Sequence, residues 1–307
     1  MTTFGSGKLQ YNVVDNWAKK PHGWGYTDVV GVAIDSHDRV CVFTRGAHPV
    51  MVFNKDGAFV RSWGEGRFVW PHGIHIDGGD NVWCADGGDH TVTKWDTEGN
   101  LLMTLGRSGI CSDTGYTGES LHGVKRPAGP FNRPTKAVVA PSGDVYVTDG
   151  YGNARVHRFT AGGELKQSWG EPGSGPGQFV LPHALAIDDS GKVYVADRQN
   201  NRIQIFSADG KLLTIWDHFV LPTDLVFDGK GHMFVTELSH RFTICDMTGK
   251  PLAQWGGDSD SNDAGLFMWP HCVACDSRGV LYIGEVGDTQ GFDRGARMVQ
   301  KFTPVAG

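Results

Sequence analysis

The sequence predicts an all-β protein, a six-bladed β-propeller, and three observations carry that expectation. A block recurs six times, with equivalent positions at Val30, His72, Thr135, His183, Thr223 and His271, so the steps are 42, 63, 48, 40 and 48 residues. Four strands in roughly 40 to 50 residues is the period of a propeller blade. Each block also reads alike: an apolar strand, a turn, a second strand ending in an acid, a third strand, a Gly turn, and a fourth strand closed by Trp. Finally, 44 Gly and 14 Pro in 307 residues fit many turns, and no helical period runs beyond a turn or two.

The blocks start at Val29, Trp70, Arg133, Leu181, Leu221 and Trp269. Trp63, Trp169, Trp216 and Trp255 close the fourth strands of four of them, with Leu105 as the one substitute. The last block runs to Gly307 after about three strands and would leave an exposed edge. The segment YNVVDNW places Trp17 in the same closing context. Residues 10–19 are therefore expected to be the outer strand of the sixth blade, closing the ring within one domain spanning 1–307.

His72, His183 and His271 each follow a proline, in WPHGIHID, LPHALAID and WPHCVACD, and occur in every second block. In a ring of six these imidazoles fall about a third of a turn apart and face one axis, the arrangement needed by three ligands of one metal ion. Val30, Thr135 and Thr223 alternate with them, and a purely structural role should not skip every second blade. Each key His opens an innermost strand, so the far end of the antiparallel second strand lies on the same face. Arg45 in FTRGAH, Tyr151 in TDGYGN and Arg198 in ADRQNN sit at such ends. The long insertion 107–132 and the loop GDTQGFDRGA are expected on that face too.

Other polar residues have structural readings. Asp86, Asp149, Asp197, Glu237 and Glu285 recur at second-strand ends, where they are expected to bond backbone amides of adjacent blades. Arg198, next to Asp197, reads equally as a bridge between blades or as a site residue. Arg45 takes a position that is Gly87, Gly150, Leu238 and Val286 elsewhere, which favours a functional role. His48, His75 and His90 read as surface or packing residues. Cys272 and Cys275 form a CxxC spacing, but within a strand the two side chains should point to opposite faces.

The net charge of −6 gives no basic footprint for nucleic acid or anionic lipid. The opening MTTFGSGKLQ has neither the basic cap nor the apolar core of a signal peptide, and no stretch reads as a membrane span. A cytoplasmic location with six reduced cysteines is expected. The sequence is silent on oligomeric state.

The repeats resemble NHL repeats. The ordered set RGAH, PHGIHID, DGYGNARV, LPHALAID followed by ADRQNNRIQIF, and WPH in the last block resembles peptidyl-alpha-hydroxyglycine alpha-amidating lyase from Val29 to Phe302. The resemblance implies a catalytic zinc on His72, His183 and His271, with iron or manganese as alternatives. It implies a catalytic Tyr151, substrate-facing Arg45 and Arg198, and a small carboxylate substrate, with Trp269 of the WPH string beside it. It also implies a channel calcium held by the carbonyls of Val32 and Ile74 and by an acid after the third His. That acid is Cys272 here, which removes the only anionic ligand of a hard, oxygen-seeking ion. The half-cystine expected after the catalytic Tyr is Gly152.

The implied reaction is metal-dependent cleavage of an N-acyl α-hydroxyglycine to an amide and glyoxylate. Two other readings stand beside it: a metal-dependent hydrolase of lactonase type, and a non-enzymatic NHL scaffold that binds a protein on its open face.

Overall fold

A computed structural model describes residues 2–257, 261–291 and 293–305. Phe292 in the sixth-block loop and the last two residues of the sixth block lie outside the described residues. The fold class is that expected, all-β with six antiparallel blades of a propeller ring. By Cα proximity the chain divides into two compact units, residues 1–65 with 223–307, and residues 66–222.

The second unit holds blades two, three and four. Their innermost strands are Pro71–Ile76, Pro134–Val139 and Pro182–Ile187, and each blade runs outward antiparallel to Leu101–Gly106, Leu165–Trp169 and Leu212–Trp216. Second strands such as Val145–Asp149 and Val193–Asp197 are buried along their whole length, whereas outer strands such as Leu101–Gly106 are mostly exposed. Burial on both faces explains the unbroken β-branched and aromatic runs VYV in both second strands. Phe131, Val145, Val147 and Phe159 pack with Trp83 and Val92 between blades two and three. Ala154, Val156 and Phe179 pack with Val193, Val195 and Phe206 between blades three and four. Each fully buried large side chain there contributes roughly 1.5–3 kcal/mol.

The first unit holds blades one, five and six. Strand Leu9–Val14 pairs antiparallel with Val299–Pro304 and so supplies the fourth strand of blade six. That strand is shorter than the expected 10–19, because Asn16 takes a left-handed conformation, φ 52, and turns the chain. Trp17 lies past the strand, packed on Phe53 and Tyr282, with Nε1 donating to the Lys55 carbonyl at 3.0 Å. A further strand, Thr3–Ser6, pairs outside Leu9–Val14 and makes blade six five-stranded. Nothing in the short polar string TFGS announces it.

The five acids sit at second-strand ends as expected, but their amide partners differ from the expectation. Four of them bond amides of the residues leading into their own blade's innermost strand rather than those of adjacent blades, and Glu237 is held by Arg241 and Thr243 of its own third strand. Asp86 accepts from the amides of Val69 and Trp70 at 2.7 and 2.8 Å, Asp149 from Asn132, Asp197 from Val180, and Glu285 from Met268 and Trp269. The loop into each innermost strand must pass that strand end, so its amides are nearest. Buried partners on the third strand complete the network: His157 against Asp149, Gln204 against Asp197, Thr243 against Glu237, Gln300 against Glu285. Burial pushes the carboxyls of Asp197 and Glu285 above the usual range, against the pull of Arg202 and Arg294. No helix among the described residues is long and apolar enough to cross a membrane.

Candidate active site

Blades two, three and four bring four of the expected residues together. The Tyr151 hydroxyl stands 3.4 Å from Nε2 of His72 and 3.5 Å from Nε2 of His183. The two imidazoles have centroids 4.6 Å apart. Arg198 donates through Nη1 to the Tyr151 hydroxyl at 3.3 Å, and its guanidinium carbon lies 5.4 Å from the phenol ring centroid. Trp70 meets the same phenol edge to face at 5.0 Å.

Hydrogen bonds between blades set His72 and His271 and explain the alternation with threonine. His72 Nδ1 lies 2.8 Å from the carbonyl oxygen of Thr135, the equivalent position one blade on. A carbonyl only accepts, so Nδ1 carries the proton and the Nε2 lone pair faces Tyr151. Thr135 in turn places its hydroxyl 2.9 Å from the carbonyl of Pro182, the residue before His183. In the first unit His271 Nδ1 lies 3.1 Å from the Val30 carbonyl, and the Thr223 hydroxyl lies 3.1 Å from that of Pro270. His72 and His271 are thus oriented by the next blade, and Thr135 and Thr223 pin the proline before the next histidine. Gly73 follows His72 because a Cβ there would lie 2.3 Å from the Thr135 oxygen.

His72 and His183 in the second unit and His271 in the first are all buried. The donor set fits a divalent transition metal: neutral imidazoles, two of them with Nδ1 committed to a carbonyl and Nε2 left as a donor. Val32 and Ile74 are both buried in innermost strands, one in each unit. Cys272 packs with Val29 and Tyr282, while Cys275 faces the cluster of Tyr11 and Phe234, so the two thiols point to opposite faces. All six cysteines are free, and burial pushes the Cys275 thiol up to about 12.

Arg198 and its neighbour Asp197 do not pair. The bridging role falls to Arg202, whose Nε donates to Asp197 at 2.9 Å and whose Nη atoms donate to the carbonyls of Ser174, Gly175 and Gln178. Among the described residues no carboxylate lies within ion-pair distance of Arg198, although only 6% of it is exposed. A buried guanidinium without an anion is costly, which marks Arg198 as a receiver of one.

Arg45 has a partner in its own unit. Its Nη1 donates to Asp28 at 2.9 Å, and Asp28 is fully buried. The loop between the second and third strands of blade six holds that carboxylate through the Gly287 amide at 2.8 Å. Asp28 carries no repeat signature, and sequence reasoning missed it. Trp269, in the same unit, lies half-buried against His240, with ring centroids 4.7 Å apart. Insertion 107–132 is tied to the Tyr151 turn, since Thr114 donates to the Gly152 carbonyl at 2.5 Å and Asn132 Nδ2 to the Ser112 carbonyl at 3.0 Å. Residue 152 has no room for a side chain: a Cβ would lie 2.1 Å from Asn132 Oδ1.

The NHL repeat family model matches residues 131–159 and 179–206, within blades three and four. NHL repeat-containing protein 3 of Mus musculus is 30% identical over 292 residues, 89% of this chain and 78% of the relative. The chain belongs to that NHL-repeat family. This NHL-repeat protein is also 33% identical over 163 residues to the probable peptidyl-alpha-hydroxyglycine alpha-amidating lyase pgal-1 of Caenorhabditis elegans, 52% of this chain and 43% of that one. A solved gluconolactonase from Xanthomonas campestris superposes with a TM-score of 0.65 at 16% identity, covering 97% of this chain and 90% of the other. That last likeness concerns the fold alone.

Proposed function

We propose that this NHL-repeat protein is a metal-dependent carbon–nitrogen lyase that converts a small N-acyl α-hydroxyglycine, or a related carbinolamide, to an amide and glyoxylate. The observation that carries the reading is the buried Arg198 without a carboxylate partner, held against a tyrosine hydroxyl that faces two histidine Nε2 atoms. The partial match to a protein named as an amidating lyase supports the same chemistry. In this reading the chain works as one propeller domain, His72, His183 and His271 hold one zinc ion, and the protein resides in the cytoplasm.

The substrate R–CO–NH–CH(OH)–COO⁻ carries one anion, and the Arg198 guanidinium receives it through a fork of two N–H donors. Arg45, fixed by Asp28, supplies a second cation, and Trp269 an apolar wall. Bound to the three histidines, a divalent ion would supply Lewis acidity toward the substrate hydroxyl. Tyr151, as phenolate, takes the hydroxyl proton, and Arg198 puts positive charge beside that oxygen. The freed electron pair forms the aldehyde C=O as the carbon–nitrogen bond breaks, and a proton returned from Tyr151 completes the amide. Atoms balance with no water consumed.

The test uses the metal-loaded protein and N-benzoyl-α-hydroxyglycine. Benzamide and glyoxylate should appear in equal amounts, faster than in protein-free buffer. Benzoate in place of benzamide, or decay at the uncatalysed rate, overturns the reading.

A further inference from the structure

We infer that Thr114, in the insertion between blades two and three, is a positioning residue that holds Tyr151 against Arg198 and the two histidines of its unit. The inference rests on the lyase reading for the reaction it serves. Thr114 carries no repeat signature, because residues 107–132 have no counterpart in the other blocks.

The turn after a second strand has a standard anchor, and blade three departs from it. The amides of Arg45, Gly87, Arg198 and Val286, each the residue after its second strand, donate to the carbonyls of Asp28, Trp70, Leu181 and Trp269 at 2.9 to 3.1 Å. In blade three the equivalent carbonyl, that of Arg133, is reached one residue later, by the Tyr151 amide at 3.5 Å. That distance lies at the outer limit of a hydrogen bond, so the standard anchor holds Tyr151 weakly.

The insertion supplies the missing hold. Thr114 Oγ1 donates to the Gly152 carbonyl at 2.5 Å, and the Gly152 amide donates to the Asn132 carbonyl at 3.0 Å. Asn132 Nδ2 donates to Thr114 Oγ1 at 3.1 Å, so the threonine oxygen accepts from one side while its hydrogen is directed to Gly152. Thr114 is itself fastened, its carbonyl accepting from the amides of Lys125 and Arg126 at 3.0 and 3.2 Å. Thr114, Asn132 and Gly152 are all buried, where a lost partner is not replaced freely by water. The Tyr151 hydroxyl meets Arg198, His72 and His183 at 3.3 to 3.5 Å, distances that a small shift of the turn would open. Misplacement by about 1 Å can cost roughly 10²-fold in rate.

The experiment measures kcat and KM for N-benzoyl-α-hydroxyglycine per mole of folded, metal-loaded protein, and follows amide hydrogen exchange by mass spectrometry. Thr114→Val and Thr114→Ala remove the hydroxyl, and Thr114→Ser keeps it. The first two should each lower kcat by about 10- to 100-fold with KM little changed, while Thr114→Ser stays near wild type. Exchange should quicken at residues 149–153 in the first two variants and hold its wild-type rate in the equivalent turn of blade four, residues 197–201. Unchanged kcat, a fall carried by KM, or an equal fall in Thr114→Ser overturns the inference. Exchange that quickens alike in both turns, or failure of both Thr114→Val and Thr114→Ala to fold, also overturns it, because each marks a purely structural residue. If wild type turns over no hydroxyglycine, the lyase reading fails and exchange alone decides. Quickening confined to 149–153 and absent from Thr114→Ser then upholds the brace on Tyr151, and any other pattern overturns it as well.

Discussion

Asp197 binds Arg202 rather than Arg198, although Arg198 is its neighbour in the chain. The next residue and the fifth one on therefore have opposite duties. Arg202→Ala removes the cation from a buried carboxylate and the donors from three backbone carbonyls, so it should lower unfolding stability by about 3 kcal/mol in denaturant titration. Arg198→Ala removes a cation that balances no charge, so stability should change by less than about 1 kcal/mol. Its kcat/KM for the hydroxyglycine should fall about 100-fold, mostly through KM. A loss of stability equal to that of Arg202→Ala would place Arg198 in the structural network instead.

Tyr151→Phe keeps the ring that packs on Trp70 and Arg198 and removes only the hydroxyl. Turnover should drop by roughly 10²-fold or more, the scale of a lost acid–base group, with metal content and melting temperature near wild type. Near-native turnover with metal retained would take the proton-transfer role away from Tyr151 and favour a hydrolase.

Single replacement of His72, His183 or His271 by Ala should sharply reduce metal per chain in elemental analysis, with zinc the ion expected in wild type. His75 lies three residues further along the same strand as His72, and His75→Ala should keep its metal. Chelation of the wild type should lower its melting temperature, since a ligand that binds only the folded state stabilises it. Equal metal content in all four variants would remove the basis of the enzymatic reading.

The blades were legible because one Gly-punctuated pattern recurs, and repetition identifies strands whose propensities alone are ambiguous. The histidine triplet was legible for the same reason, through its alternation with Val30, Thr135 and Thr223. Residues outside the repeat were not. Asp28 fixes Arg45 from a position held by Trp70, Arg133, Leu181, Leu221 and Trp269 in the other blocks, and Thr114 braces Gly152 from an insertion that has no counterpart in them. The choice between Arg198 and Arg202 depends on the turn Arg198–Asn200, a 3-10 helix ended by Asn201 in a left-handed conformation. That turn sends the first guanidinium toward Tyr151 and the second back to Asp197, a geometry that the string ADRQNNR leaves open.

His75 gives the fold a predictable acid sensitivity. Its Nε2 is buried without a hydrogen-bond partner, and burial, reinforced by Lys136, depresses its pKa from 6.5 to about 4. Between those two values the unfolded chain binds the proton and the folded chain does not, so stability rises with pH across the window. The contribution is complete above about pH 6.5 and is lost as pH falls toward 4. The ideal value of about 1.4 kcal/mol per unit is discounted because the residue is only half-buried. Lowering the pH from 7 to 4.5 should therefore remove about 2 kcal/mol of unfolding free energy through this residue. His75→Gln, which cannot titrate, should flatten the slope of stability against pH in that range by the same amount, whatever its effect at pH 7. An unchanged slope in urea titrations at successive pH values would assign the acid sensitivity to other groups.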